Sequence, residues 1–439
     1  METVLWDRLQ FAFTIMFHYL FPIITIGLAP FIAVFWWMTA RTGDSRFEAA
    51  ARLWTRVFAI NFAAGVVTGI PMEFQFGTNW AAFSARTGAV MGQPLTMEAI
   101  FAFFGESVFL GALLYGRRIM RPAMLAFAAM MVCIGSWLSA YFIIVANAWM
   151  QHPVGYTIGQ DGTVQLTDIG ALLLSRFAWA EVTHAIAGAV IAGSFLVAGT
   201  GAFYLLARRD EGVARMLLRW GTIGGFVFSC IAVFPTGDTN GKVVTDYQPA
   251  KLAALEGTFH SEVGAPLAIL GMPDVDHMRL LDPLEVPGVL SFLAYGNVHA
   301  TVRGLDTFPR DQWPPVALTY YAYHVMVGLA TLFCAIGALG VVLLWRGYLF
   351  RTPWYWWIAL LAIPFPLIAN EAGWTSAEVG RQPWLAYGLI RTSSGASPNV
   401  VAGETIFTLI GFAGVYLLLG ILYLFVIVRE IINGPETKP

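Results

Sequence analysis

Residues 317–345 read ALTYYAYHVMVGLATLFCAIGALGVVLLW and contain no Asp, Glu, Lys or Arg. A helix rises about 1.5 Å per residue, so about 20 such residues cross the ~30 Å hydrocarbon core of a bilayer. Eight more apolar stretches have the length to do the same, at 10–38, 54–77, 95–116, 123–149, 178–206, 220–236, 354–374 and 404–428. Pro71 and Glu73 interrupt the second, and Pro364 and Pro366 the eighth. Proline is tolerated in such spans where neighbours re-satisfy the freed carbonyl. The expected fold is an all-α integral membrane protein of about nine transmembrane helices.

Bulk composition agrees. Of 439 residues, 58% are hydrophobic and 12% charged, about half the charged share of an ordinary soluble domain. The 44 glycines and 15% aromatics suit close helix packing and interfacial anchoring in lipid. A net charge of -2 suggests no nucleic-acid partner. Cys133, Cys230 and Cys334 stand apart in apolar stretches and read as small core residues. The N-terminus has no basic segment and no small-residue cleavage site before its apolar run, so it reads as a first span.

Basic residues collect on alternate connections. Arg41, Arg46, Arg52 and Arg56, then Arg117, Arg118 and Arg121, share a side with Arg208, Arg209, Arg215, Arg219, Arg346, Arg351, Arg429 and Lys438. Those are 15 of the 25 Lys and Arg. The positive-inside rule then puts the N-terminus outside and the C-terminus in the cytoplasm. The chain divides into 1–236 with six spans, a long outer segment 237–316, and 317–439 with three more. Pro249–Gly257 (PAKLAALEG) in the outer segment reads as a short helix carrying Lys251 and Glu256 near one face.

A charge at membrane depth costs a few kcal/mol, so ionisable residues there usually face the protein interior and are functional. His18 lies among aromatics in FTIMFHYLFP. Glu98 and Glu106, in LTMEAIFAFFGESVF, are eight apart, so both point one way about 12 Å apart, as a proton path or a ligand with a proton donor behind it would need. Glu181 and His184 share a face, but the Glu-x-x-His pattern of di-metal bundles needs a second copy, and none is present. Met326 is a possible axial partner for a haem-bound His, or core filler; His324 points to a different face. Glu371 and Glu378 are seven apart, followed by Arg381, Gln382 and Trp384. An interfacial anchor accounts for Arg381 and Trp384 but not for Glu371.

RLQFAFTIMFHYLFP, INFAAGVVTGIPMEFQFGTNW, PLTMEAIFAFFGESVF, IVANAWMQHP, KLAALEG and NEAGWTSAEVGRQPW together resemble subunit I of cytochrome bd-type quinol oxidases, over essentially the whole chain. The outer segment is short only in comparison with members carrying an extended insertion, which makes it similar to the cyanide-insensitive members. The resemblance implies a respiratory oxidase of the bacterial cytoplasmic (inner) membrane that oxidises quinol outside and reduces O2 to water with cytoplasmic protons. It implies His184 and Met326 as axial ligands of a low-spin haem b. It implies His18, Glu98 and Glu371 as ligands or neighbours of an oxygen site holding a high-spin haem b and haem d, or a third haem b. Lys251 and Glu256 match residues of quinol oxidation, and Glu106 the second carboxylate of the proton route. A second membrane subunit is the implied partner, with a small single-helix subunit in some members.

Two positions depart from the family. His324 stands where an Arg often precedes the ligand Met, which keeps His324 as a rival ligand or propionate contact. Leu367 stands where some members have Trp, leaving Trp374 as the nearest substitute. Two other readings use the same residues: a proton-coupled transporter, and a haem b quinol dehydrogenase that passes electrons to a partner.

Overall fold

The computed structural model describes residues 2–435; Lys438 lies outside the described residues. Among the described residues, nine helices are long and apolar enough to cross a membrane. They are Glu2–Thr42, Ser45–Thr78, Ala81–Tyr115, Pro122–Gln151, Ile169–Leu206, Glu211–Tyr247, Val316–Trp345, Pro353–Gly380 and Ala402–Asn433. Each expected stretch falls inside one of them, except that 95–116 runs one residue past Tyr115.

The ends differ where helices run on into polar sequence. The third span begins at Ala81 rather than 95, because AAFSARTGAVMGQP is helical but too polar to read as lipid-spanning. The sixth continues to Tyr247, so the outer segment expected from 237 is helical for its first part. The eighth is two helices, Pro353–Leu361 and Phe365–Gly380, broken at Pro364 where the ring removes an N–H and crowds the preceding turn. The sixth span is kinked at Phe234, whose φ of -147° and ψ of 124° are not helical, and the third contains a π-helical turn at Glu98–Phe103. Such turns arise where one extra residue is accommodated, often at functional sites.

The first and fifth spans meet backbone to backbone. A Cβ on Gly27 would lie 2.0 Å from the Ala189 carbonyl oxygen, and one on Gly193 2.2 Å from that of Gly27. No side chain fits there, which is how small residues draw helices together in lipid. Trp36, Trp54, Phe35 and Phe58 fill the core beside this contact. The ninth span is the most peripheral. Tyr416 Oη donates to the Thr68 carbonyl (3.1 Å), Tyr423 Oη to Asn61 Oδ1 (2.7 Å) and Thr405 Oγ1 to Asp7 Oδ1 (3.0 Å). Its Phe407, Leu418 and Ile421 point outward.

At the arginine-rich end, Arg56 pairs with Glu430 and Arg209 donates to the Ile432 and Asn433 carbonyls, which the helix end leaves without amide partners. Antiparallel strand pairs occupy the opposite end, in the connections after the fourth, sixth and eighth spans. The longest is Leu267–Asp274 against Arg279–Val286. Between the sixth span and this hairpin sits the helix Pro249–Glu256, as expected; Gly257, with φ 68°, ends it in the left-handed region.

Candidate functional site

One continuous cavity of about 1520 Å³ runs through the bundle and touches most of the residues singled out above. Small-molecule pockets typically hold ~300–1,000 Å³, so this volume suits more than one large group. His18, Glu98, Glu106, His184, Lys251, Glu256, Met326, Trp374 and Arg381 are among its walls, with Arg8, Glu73 and Glu181 beside them, whereas Glu371 lies behind its neighbours Asn370, Gly373 and Trp374 and is not itself among the walls. Leu367 instead packs against the Ile23, Ala189 and Ala192 cluster.

Three candidate ligand side chains each face a glycine. A Cβ on Gly69 would lie 3.1 Å from His18 Cε1, one on Gly237 3.6 Å from His184 Cε1, and one on Gly373 2.7 Å from Met326 Sδ. The kinked segment Ala232–Gly237 of the sixth span supplies the glycine opposite His184.

Both histidines are oriented alike. His18 Nδ1 lies 3.0 Å from Thr68 Oγ1, and His184 Nδ1 3.4 Å from Thr236 Oγ1. Thr68 donates its own proton to the Ala64 carbonyl (2.9 Å) and Thr236 to that of Ile231 (2.9 Å). The threonine oxygens are therefore acceptors, each imidazole carries its proton on Nδ1, and Nε2 keeps its lone pair for a metal.

Glu371 differs from every other carboxylate here. Both of its oxygens are buried and neither has a hydrogen-bond partner. Buried polar atoms are almost always paired, so two orphans on one carboxyl make Glu371 a candidate ligand. Among the described residues no three His, Cys, Asp or Glu gather as a bare metal ion would need. Axial ligation of haem asks for only one or two side chains, so the donors present (two imidazoles, a thioether and a carboxylate) fit haem.

Glu98 and Glu106 both point at the fourth span, as their spacing suggests. Ser139 Oγ donates to Glu98 (2.7 Å) and Ser136 Oγ to Glu106 (2.5 Å). The π-helical turn beginning at Glu98 lies between them.

At the loop end the polar groups form one buried network. Lys251 Nζ donates to Gln151 Oε1 (3.2 Å), and Gln151 Nε2 to Glu378 Oε1 (3.2 Å). Asn147 Nδ2 donates to the same oxygen (2.7 Å), and Arg381 grips Glu378 with two bonds of 3.1 and 2.5 Å. Arg381 is only 2% exposed. The interfacial-anchor reading of Arg381 is thereby corrected: its charge is held inside by Glu378. Burial pulls the Lys251 ammonium below the usual lysine value, opposed by the Glu181 and Glu378 carboxylates. Burial pushes Glu256 up to about 7, opposed by a hydrogen bond from Tyr323.

His324 stands apart from all of this. It is not among the cavity walls; its Nδ1 lies 2.9 Å from the Tyr320 carbonyl and its Nε2 3.0 Å from that of Ala268. Its ring stacks on Tyr320 at 3.8 Å. With both nitrogens against backbone carbonyls it is placed to fasten the hairpin to the seventh span, and the rival-ligand reading loses its geometry. Gln151 and Asn147 were not singled out, and Glu378 was noted only for its spacing from Glu371, although its i,i+3 spacing to Arg381 allows a helical ion pair.

A family model described as cytochrome bd terminal oxidase subunit I matches residues 6–435. The chain belongs to that family. It is 36% identical to the cytochrome bd ubiquinol oxidase subunit 1 of Bacillus subtilis, over 99% of this chain and 95% of the relative. It is 31% identical to the cytochrome bd-II ubiquinol oxidase subunit 1 of Escherichia coli, over 98% of each. The bd oxidase structure from Geobacillus thermodenitrificans superposes with a TM-score of 0.91 at 32% identity, covering 99% of both chains. As a cytochrome bd-family subunit, the chain is a haem-dependent oxidoreductase of electron transport and a multi-pass protein of the bacterial inner membrane.

Proposed function

We propose that this chain is the haem-bearing subunit of a terminal oxidase that oxidises quinol at the outer face and reduces O2 to water with cytoplasmic protons, without pumping. The observation that carries the reading is Glu371, with two buried, partnerless oxygens, on the helix whose Asn370, Gly373 and Trp374 line the large cavity that His18, His184 and Met326 also line. His184 and Met326 would hold a low-spin haem b. His18 and Glu371 would hold the oxygen-site haems, a high-spin haem b and haem d or a third haem b, with Glu98, Arg381 and Trp374 as neighbours. When bound, haem supplies one-electron and oxygen chemistry; the protein sets access, orientation and proton supply.

The proton roles follow from placement. Glu106 and Glu98, each anchored by a serine, lead inward as a two-step relay from the arginine-rich end, which the positive-inside rule makes cytoplasmic. Lys251 and Glu256, at the loop end, bind the quinol head group and take its protons outward. Burial keeps Glu256 near about 7, where one carboxyl can both accept and release a proton at working pH. The relatives' names, each a subunit 1 of a ubiquinol oxidase, support a second membrane subunit as partner and quinol as donor.

The reduced-minus-oxidised visible spectrum of purified protein separates this reading from its rivals. A chlorin band beside haem b supports the oxidase, haem b alone the dehydrogenase, and no haem bands a transporter. Glu256→Gln tests the quinol assignment; unchanged quinol oxidase activity in membranes rules it out. Gly380→Val tests Lys251. A Cβ there would lie 2.9, 3.0 and 3.2 Å from Cγ, Cε and Cδ of Lys251. The displaced stem is expected to raise the KM for quinol about tenfold with the haem spectrum unchanged. An unaltered KM removes Lys251 from the quinol site.

A further inference from the structure

We propose that His324 is a positioning residue for quinol oxidation: it pins the hairpin 267–286 to the seventh span, and the pinned hairpin braces the helix that carries Lys251 and Glu256. The inference rests on the quinol reading above. The contacts run through three elements. His324 Nε2–H donates to the Ala268 carbonyl (3.0 Å), where the strand pairing slips between Ala268 and Leu270. The ring stacks on Tyr320 at 3.8 Å, with Nδ1 2.9 Å from the Tyr320 carbonyl. The hairpin in turn meets the quinol helix twice. Leu280 and Tyr320 close on Gly257, where an added Cβ would lie 3.1 Å from each. Val275 and Met278, at the hairpin turn, pack against the cluster that holds Ala253 and Ala254, both fully buried.

Among the described residues, two side chains outside the hairpin bond to its backbone: His324, and Arg310 at 3.4 Å from the Val275 carbonyl. Leu270 and Leu284 on its outer face are exposed and anchor nothing. A two-stranded hairpin is marginal on its own in water, so its position depends on such attachments. Gly257 directly follows Glu256, so a shift of Leu280 reaches the carboxyl-bearing residue through one peptide unit. A direct contact with haem would need His324 on the cavity, and it is not among the walls that Lys251, Glu256 and Met326 form. Its effect on quinol therefore passes through the hairpin.

The test is His324→Phe in the whole oxidase, which keeps a ring on Tyr320 and removes the bond to Ala268. Without that bond the braced arrangement is less populated, and a site populated only in part binds quinol more weakly in proportion. The KM for a short-chain quinol is expected to rise about fivefold, the size of one hydrogen bond, with kcat at saturation nearly unchanged. Tryptic cleavage after Arg279, whose side chain is 62% exposed just past the hairpin turn, should quicken as the hairpin loosens. The spectrum and midpoint potential of the low-spin haem should stay as in the wild type. His324→Gln, which keeps a donor, is expected to recover part of the KM and of the protection. A wild-type KM in His324→Phe overturns the proposal, whether or not cleavage quickens. So does a shifted haem potential with unchanged cleavage, which places His324 on the haem, or loss of the haem spectrum in both variants, which makes it structural. Glu256→Gln keeps the two readings apart: if it retains quinol activity, the site assignment itself fails; if it loses activity while His324→Phe has a wild-type KM, only His324 is wrong.

Discussion

His184→Ala is expected to remove the low-spin haem band entirely and bring quinol oxidation to background, while the protein still accumulates in the membrane. The fifth span is packed along most of its length and touches the first span through Gly193 and the sixth through Gly201 and Gly221. His184 contributes little to that packing, because its ring faces the cavity. The substitution leaves Thr236 Oγ1 without a donor, at a cost of about 1–3 kcal/mol at most. Haem binding loses more. An alanine supplies no lone pair, and Met326 alone, a neutral thioether, holds iron weakly. Met326→Leu should act differently, leaving His184 as the one axial ligand and turning the low-spin spectrum into a high-spin one. A low-spin band surviving in His184→Ala would end the ligand assignment.

These expectations draw on different amounts of sequence information. The nine spans were readable because lipid demands long apolar runs, and 317–345 or 404–428 admit no other reading. Helix ends were not, because Ala81–Pro94 and Asp238–Tyr247 are helices of ordinary polarity that hydropathy passes over. His18, Glu98, Glu106 and Glu371 stood out through their depth alone. Met326 did not: methionine is usual in a core, and only the family resemblance singled it out. Which face a residue takes was partly readable. His324 and Met326 were rightly separated by two positions on a helix, yet nothing in the sequence placed the hairpin carbonyl of Ala268 against His324. Arg381 was misjudged because an Arg beside a Trp at a span end normally reaches for water, whereas Glu378 one turn earlier keeps it inside. The glycines opposite His18, His184 and Met326 were invisible, because a glycine in a lipid-spanning helix usually signals helix contact.

Glu371→Gln is expected to lose the oxygen-site haem signal and O2 reduction while keeping the low-spin haem b of His184 and Met326. The argument turns on cost. Both Glu371 oxygens are buried without a partner in the protein. An isolated buried carboxylate is among the most expensive groups a fold can carry, and proteins retain one only where a cation or metal offsets it. The amide of Gln has the same shape and no charge, so the fold without haem gains rather than loses. A merely structural Glu371 predicts the reverse: lower stability and both haem signals weakened together. The two outcomes separate in one preparation. Thermal unfolding of detergent-solubilised protein reads the fold, and the reduced-minus-oxidised spectrum reads the haems one by one. Glu371→Gln with all bands and full O2 reduction would show that the partnerless carboxyl serves something other than the oxygen site. The spacing of the eighth span makes the result sharp. Glu378, two turns further along, is tied to Arg381, Asn147 and Gln151 in the quinol network. Glu378→Gln should therefore disturb quinol oxidation and the packing at the loop end, and leave the oxygen-site haems in place. One helix thus presents two carboxylates, one paired by the protein and one with no protein partner, the proposed iron ligand, and the two substitutions should fail in opposite halves of the reaction.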